Sequence, residues 1–166
     1  MALKRIALRD FVIVRELELD LSSGFTVLTG ETGAGKSILI DALQLALGAR
    51  ADSAWVREGA TRTEVSAEFD IPTARETWLN TWLEDAGFDT EDTLLLRRTV
   101  DTAGKSRAWI NGSSATATQL KELGDELVDI HGQHAWATLS RADAVRGLLD
   151  AYAGNNCQPL SAAWTQ

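Results

Sequence analysis

One loop constrains this chain more than any other stretch of it. Gly30-Glu31-Thr32-Gly33-Ala34-Gly35-Lys36-Ser37 fits the pattern G-x-x-x-x-G-K-[ST] at every position. The flanks suit the pattern. Phe25-Thr26-Val27-Leu28-Thr29 reads as a buried strand, and Ile38 through Leu47 as a buried helix stopped by Gly48. In a strand–loop–helix unit of this kind the glycines leave backbone N–H groups free to turn inward around phosphate oxygens. The positive end of the following helix faces the same point. Lys36 then reaches the β- and γ-phosphates, and the Ser37 hydroxyl sits on Mg²⁺. Glu31, Thr32, Ala34 and Ile38 contribute backbone to the cradle. A dinucleotide fingerprint is excluded, because Gly33-x-Gly35 is followed by Ile38 where the third glycine is required.

The chain of 166 residues is long enough for one domain with a real core. With 45% apolar and 24% charged residues it has an ordinary globular composition, and no apolar run approaches a membrane span. Met1-Ala2-Leu3-Lys4-Arg5 leads directly into an alternating strand, so no signal peptide is expected. Cys157 is the only cysteine, which excludes an internal disulfide and fits a reducing, cytoplasmic compartment. The formal net charge of −8 argues against a surface that binds nucleic acid throughout and leaves room for a local basic patch.

Residues 3–8 read as a first strand. Leu17, Leu19 and Leu21 alternate with Glu16, Glu18 and Asp20, as on a strand with one wet face; such strands belong to antiparallel pairs. Val65, Ala67 and Phe69 repeat the pattern. Thr73-Ala74-Arg75-Glu76 is a capping box announcing a helix, with Trp78, Leu79, Trp82, Leu83 and Ala86 as its apolar stripe and Gly87 as its end. Residues 94–100 and 107–110 form a hairpin through Asp101-Thr102-Ala103-Gly104. Asn111-Gly112 marks a second tight turn, and Thr116 with Gln119 caps a further helix. Residues 127–130 are the end of that helix or a short strand. Ser140 with Asp143 opens another helix, closed by Gly154.

A phosphate loop binds nucleotide; hydrolysis needs a second Mg²⁺ anchor, usually an Asp ending an apolar strand, and a following Glu to activate water. No such strand is present. Ile38-Leu39-Ile40-Asp41 comes nearest and lies in the helix of the loop.

Leu8-Arg9-Asp10-Phe11, the loop at residues 30–37 and Ile40-Asp41-Ala42-Leu43 resemble the N-terminal half of an ABC-type ATPase head, of the branch that includes SMC proteins and Rad-fifty-like repair ATPases. Within it, Leu127-Val128-Asp129-Ile130-His131-Gly132-Gln133-His134, Gly48-Ala49-Arg50-Ala51-Asp52 and Leu148-Leu149-Asp150-Ala151-Tyr152-Ala153-Gly154 resemble the RecN family of bacterial DNA repair proteins. The resemblance implies an α/β P-loop NTPase: the N-terminal lobe of an ATPase head over 1–154, with a mixed sheet around the loop helix and an antiparallel β layer beside it. Residues 155–166 would start a coiled-coil helix. It implies ATP and Mg²⁺ as cofactors. As partners it implies the C-terminal half of the same head, a second head in a homodimer, and DNA, with no membrane. The signature motif and catalytic carboxylates would come from the C-terminal half.

The resemblance also carries a role to Gln133, as the glutamine that reaches Mg²⁺ and the attacking water; an amide oxygen suits that hard cation. Arg57 falls where related heads keep an arginine near the nucleotide, and Arg9 to Ile13 where they contact adenine, although Val12-Ile13 replaces polar residues there. His131, His134 and Cys157 lack the spacing of a zinc site. Lys4, Arg5, Arg9, Arg97, Arg98, Lys105 and Arg107 are either a DNA patch or the wet faces of half-buried strands. Two other functions remain open: a nucleotide-gated clamp with little catalysis of its own, and a small-molecule kinase, for which no arginine-rich lid is evident.

Overall fold

The computed structural model describes residues 2–21, 24–29, 35–71, 73–128 and 130. Met1–Val128 form one compact unit. Among the described residues this unit holds six strands, β1 (Ala2–Phe11), β2 (Val14–Asp20), β3 (Arg62–Asp70), β4 (Thr93–Asp101), β5 (Ser106–Ile110) and β6 (Ser113–Ala115). Three α-helices accompany them, α1 (Gly35–Ala46), α2 (Thr73–Asp85) and α3 (Ala117–Leu127), with a single 3-10 turn at Ser53–Trp55. The strands make one sheet in the order β2-β1-β3-β4-β5-β6, and every adjacent pair is antiparallel.

The antiparallel layer follows from period-two patterning. On β3, Thr63, Val65, Ala67 and Phe69 are buried while Glu64, Ser66 and Glu68 are only half covered. On β4 the inward row is Leu94, Leu96, Arg98 and Val100; on β5 it is Ala108 and Ile110. In register these rows line up, Val65 with Arg98 and Arg98 with Ala108. Helix α1 lies on this inward face against β1, β3 and β4, and α3 lies against β5. Ala42, Leu45, Leu120 and Leu123 are fully buried, as are Phe11 and Phe69. Burying each such large side chain stabilises the fold by about 1.5–3 kcal/mol.

Local signals place the turns. Asn111 and Gly112 both take positive φ, 46° and 80°, so β5 and β6 join through the two-residue turn their sequence favours. The Thr116 hydroxyl accepts from the Gln119 N–H and the Gln119 side chain accepts from the Thr116 N–H, completing the box that starts α3. Gly48 ends α1 at φ 93°, and a Cβ there would stand 2.5 Å from the Lys121 nitrogen. Gly124 likewise meets the Leu47 carbonyl at 2.8 Å, so α1 and α3 touch through two glycines.

Three expectations are corrected. Residues 25–29 form no strand, and Phe25 is 99% exposed, with Val27 and Leu28 also open. The segment is apolar enough to be buried, yet none of the six strands pairs with it; burial of a strand needs a neighbour. Trp78 stands 40% exposed at the edge of the α2 stripe, whereas Leu79 and Leu83 are sealed and Trp82 stacks on Phe88 at 6.0 Å. Arg98 belongs to the core, with consequences for the site. The capping box side chains of Thr73 and Glu76, and the helices expected after residue 130, lie outside the described residues. No helix among the described residues is long and apolar enough to cross a membrane.

Candidate nucleotide site

Helix α1 begins at Gly35, where the glycine loop ends. Its first turn carries no acidic residue, so no carboxylate within that turn offsets the positive end of the helix dipole. Ser37 is exposed there, and Ile38 is buried one residue on. Gly35 is not held by packing, since a Cβ at that position would meet nothing within 4 Å. A glycine with open space above it at a helix start fits close approach by an anion such as a nucleotide phosphate. The exposed Ser37 hydroxyl fits a cation such as Mg²⁺ that bridges phosphates. The loop residues Gly30, Glu31, Thr32, Gly33 and Ala34 lie outside the described residues, as does the Lys36 side chain; so do Gln133, His131, His134 and Cys157.

The other end of α1 is held by a residue that its chemical type alone misplaces. Arg98 is 3% exposed. Its guanidinium donates to the carbonyl of Ala49 at 3.2 Å, to that of Leu45 at 3.5 Å and to the Ser106 hydroxyl at 2.9 Å. A cation at a helix C-terminus meets the negative end of the dipole and the last unpaired carbonyls. Burial pushes its proton affinity down from the ordinary arginine value. A signal for this exists in the chain: Leu94, Leu96 and Val100 fix the inward parity of β4, and position 98 shares it.

Arg57 is positioned through the β1–β2 turn. Its Nε donates to Asp10 Oδ1 at 2.7 Å, and its backbone N–H donates to the Asp10 carbonyl at 2.9 Å. The Val12 N–H donates to the Trp55 carbonyl at 2.8 Å, Phe11 bridges Val56, and the Phe11 and Trp55 rings lie 5.8 Å apart. These contacts hold an unfavourable turn in place. Asp10 and Val12 both have positive φ, 50° and 52°, which a β-branched residue such as valine strongly resists. Ile13 is left 68% exposed at the tip. Residues 9–13, which the resemblance suggested for adenine, and Arg57, which it suggested near the nucleotide, are therefore one structural unit.

The basic residues are divided. Lys4 pairs with Glu68 at 3.0 Å, Arg5 with Asp20 at 2.6 Å and Glu18 at 3.1 Å, and Arg9 with Glu16 at 3.1 Å. Hydrogen bonds to these carboxylates, and then their charges, raise the proton affinity of all three. They are paired wet-face residues. Arg97, Lys105 and Arg107 lie together on the outward face of β4 and β5, joined by Arg62, which residue type and spacing do not single out. Among the described residues no three metal-ligating side chains cluster.

The AAA domain family matches residues 5–131, well over half of the chain. The chain belongs to that family. Its relatives agree with the resemblance read in the sequence. DNA repair protein RecN of Xylella fastidiosa (strain Temecula1) is 46% identical over 156 residues, 94% of this chain and 28% of that protein. RecN of Vibrio cholerae is 45% identical over 153 residues and that of Bacillus subtilis 40% over 153, each covering 92% of this chain and respectively 27% and 26% of the relative. The chain thus spans little more than a quarter of these relatives' length. Among solved structures, a chain described under ATP-driven dimerization and DNA-stimulated activation of SMC ATPases superposes with a TM-score of 0.64. It covers 89% of this chain and 97% of that one at 24% identity, and shows the fold alone. An SMC head bound to the C-winged helix domain of ScpA gives 0.60 at 26% identity, over 77% of this chain and 41% of that one. The AAA-domain chain therefore has the α/β fold of SMC-type heads.

Proposed function

We propose that this chain is the ATP-binding N-terminal lobe of an SMC-like ATPase head, in a RecN-type protein that acts in DNA double-strand break repair and recombination. The observation that carries the reading is the complete phosphate-loop sequence running into the open, acid-free start of α1, in a chain whose relatives are DNA repair proteins. The backbone of residues 30–35 with Lys36 would hold the phosphates of ATP, Ser37 and Gln133 would hold Mg²⁺, and Arg57 with the 9–13 turn would flank the base. Mg²⁺ neutralises charge developing on the phosphates when bound.

The exposed apolar stretch at residues 25–29 supports incompleteness: a C-terminal half of the same head would cover it and bring the catalytic carboxylates. Engagement of two heads in a homodimer around ATP follows from the same reading, as do a cytoplasmic location and DNA as the macromolecular partner. The test compares ATP hydrolysis by the complete protein and by this 166-residue chain. Hydrolysis is expected only in the complete protein and should be abolished by Lys36→Ala. Turnover by the short chain that vanishes with the same substitution would refute the need for a second half.

A further inference from the structure

The outward face of the sheet carries a cleft that the nucleotide site does not use. It encloses about 300 Å³ over β3, β4 and β5 and is lined by Arg62, Arg97, Lys105, Arg107, Thr99 and Trp109. Strand register assembles it. Thr99 faces Arg107 across β4–β5, Arg97 faces Trp109, and Arg62 faces Asp101 across β3–β4. Arg97 makes two bonds to Glu64, 2.9 and 2.7 Å, and its guanidinium carbon lies 4.9 Å from the centre of the Trp109 ring. Its charge is matched and its plane is fixed over the indole.

Asp101, also in the cleft, accepts from the N–H groups of Ala103 and Lys105, both at 2.9 Å, which shapes the turn that presents Lys105. Arg62, Lys105 and Arg107 are exposed and form no ion pair among the described residues. Three unmatched cations around a rigid arginine–tryptophan stack stand out on a chain of net charge −8. The neighbouring hollow over β1–β3 is lined instead by Glu16, Glu18, Glu64 and Arg9. The same sheet face is thus acidic at one end and basic at the other.

We propose that this cleft binds the phosphodiester backbone of nucleic acid, with Arg62, Lys105 and Arg107 each matching a phosphate and the Arg97–Trp109 stack forming the wall against which sugar or base rests. Exposed cations set side by side on β3, β5 and the β4–β5 turn suit a repeating anion better than one buried phosphate. An indole beside them suits stacking. The proposal rests on the DNA-repair reading above and adds the place of contact. Duplex and single strand share the backbone chemistry, so both are assayed.

The experiment follows fluorescence anisotropy of a labelled short duplex and a labelled single strand, titrated with the complete protein between about 0.05 and 0.2 M salt. Removing one phosphate contact lowers the salt slope by about 0.9 for duplex and about 0.7 for a single strand, and costs about eightfold in duplex affinity at 0.1 M salt. R62Q/K105Q/R107Q should therefore reduce the slope by about 2.7 on duplex, or about 2.1 if the cleft takes a single strand. Arg5→Gln, which removes an already paired cation from the same sheet, should leave binding unchanged. Unchanged slope and affinity in the triple variant overturn the cleft while leaving the DNA-repair reading intact. An equal loss in Arg5→Gln overturns it too, because the effect is then one of overall charge. If the wild type binds neither nucleic acid, the DNA-repair reading itself falls. Should the triple variant fail to fold, Arg62→Gln and Arg107→Gln alone carry the test, each at about eightfold on duplex.

Discussion

Arg98→Ala tests how the loop helix is anchored. The wild-type guanidinium is sealed in the core and answered by neutral acceptors, the carbonyls of Leu45 and Ala49 and the hydroxyl of Ser106, rather than by a carboxylate. Truncation leaves those acceptors without their donor, at about 1–3 kcal/mol for a buried polar group, and leaves a hole the length of the side chain. Against this, a desolvated cation is removed, which recovers part of the loss. The net expectation is about 3 kcal/mol of lost stability for Arg98→Ala. Arg98→Met, which keeps the stem and drops the charge, should lose about 1 kcal/mol. Urea unfolding followed by tryptophan emission measures both, with the slope of the transition checked for constancy.

Because burial lowers the proton affinity of Arg98, the charged form is penalised in the folded state, and that penalty is relieved only as pH rises through the lowered value. The difference between wild type and Arg98→Met should therefore stay flat at pH values below the lowered value and shift toward the wild type as pH rises through it. An Arg98→Ala protein within about 0.5 kcal/mol of wild type would refute the anchoring role.

Other substitutions probe the site and its frame. In the complete protein, Lys36→Ala should weaken ATP binding by one to two decades, about 1.5–3 kcal/mol, and Ser37→Ala should show a smaller defect that depends on Mg²⁺. Gln133→Ala should spare binding and lower turnover; equal loss of ATP affinity in Gln133→Ala and Lys36→Ala, measured by titration, would rule out the later role for the glutamine. Gly48→Ala adds a Cβ 2.5 Å from backbone nitrogen at a φ of 93°, and should cost at least about 2 kcal/mol in a thermal or urea melt. Phe25→Ser should leave the stability of the 166-residue chain within about 0.5 kcal/mol and destabilise the complete protein by about 1.5–3 kcal/mol. No loss in the complete protein would show that nothing covers the segment.

Much of this architecture is legible in the chain itself. Alternation at 65–69, the Asn111-Gly112 turn and the Thr116 box are local signals, and each produced the element it announces. What escapes a linear reading is set by neighbours distant in sequence. Residues 25–29 have a buried strand's composition, but exposure depends on what lies beside them. Arg62 joins Lys105 and Arg107 only because β3, β4 and β5 pair in a particular register. Residue type groups Arg98 with exposed cations, while strand parity assigns it inward. At the candidate site the motif is legible in full, and so is Arg57 as a residue of interest; its partnership with Asp10 is not, since it spans 47 residues.

On β4, Arg97 and Arg98 are neighbours in the chain and opposites in the fold. One lies over an indole at the surface; the other ties the end of α1 into the core. The outward positions of Arg62, Arg97 and Arg107 face away from the Arg98 contacts, so they can be rewritten in charge or in shape while Arg98 keeps its hold on α1. A designer could graft a different ligand preference onto this sheet while the loop helix stays where it is. A one-residue insertion in β4, however, would exchange the two arginines and lose both roles together; length changes belong in the Thr102–Gly104 turn.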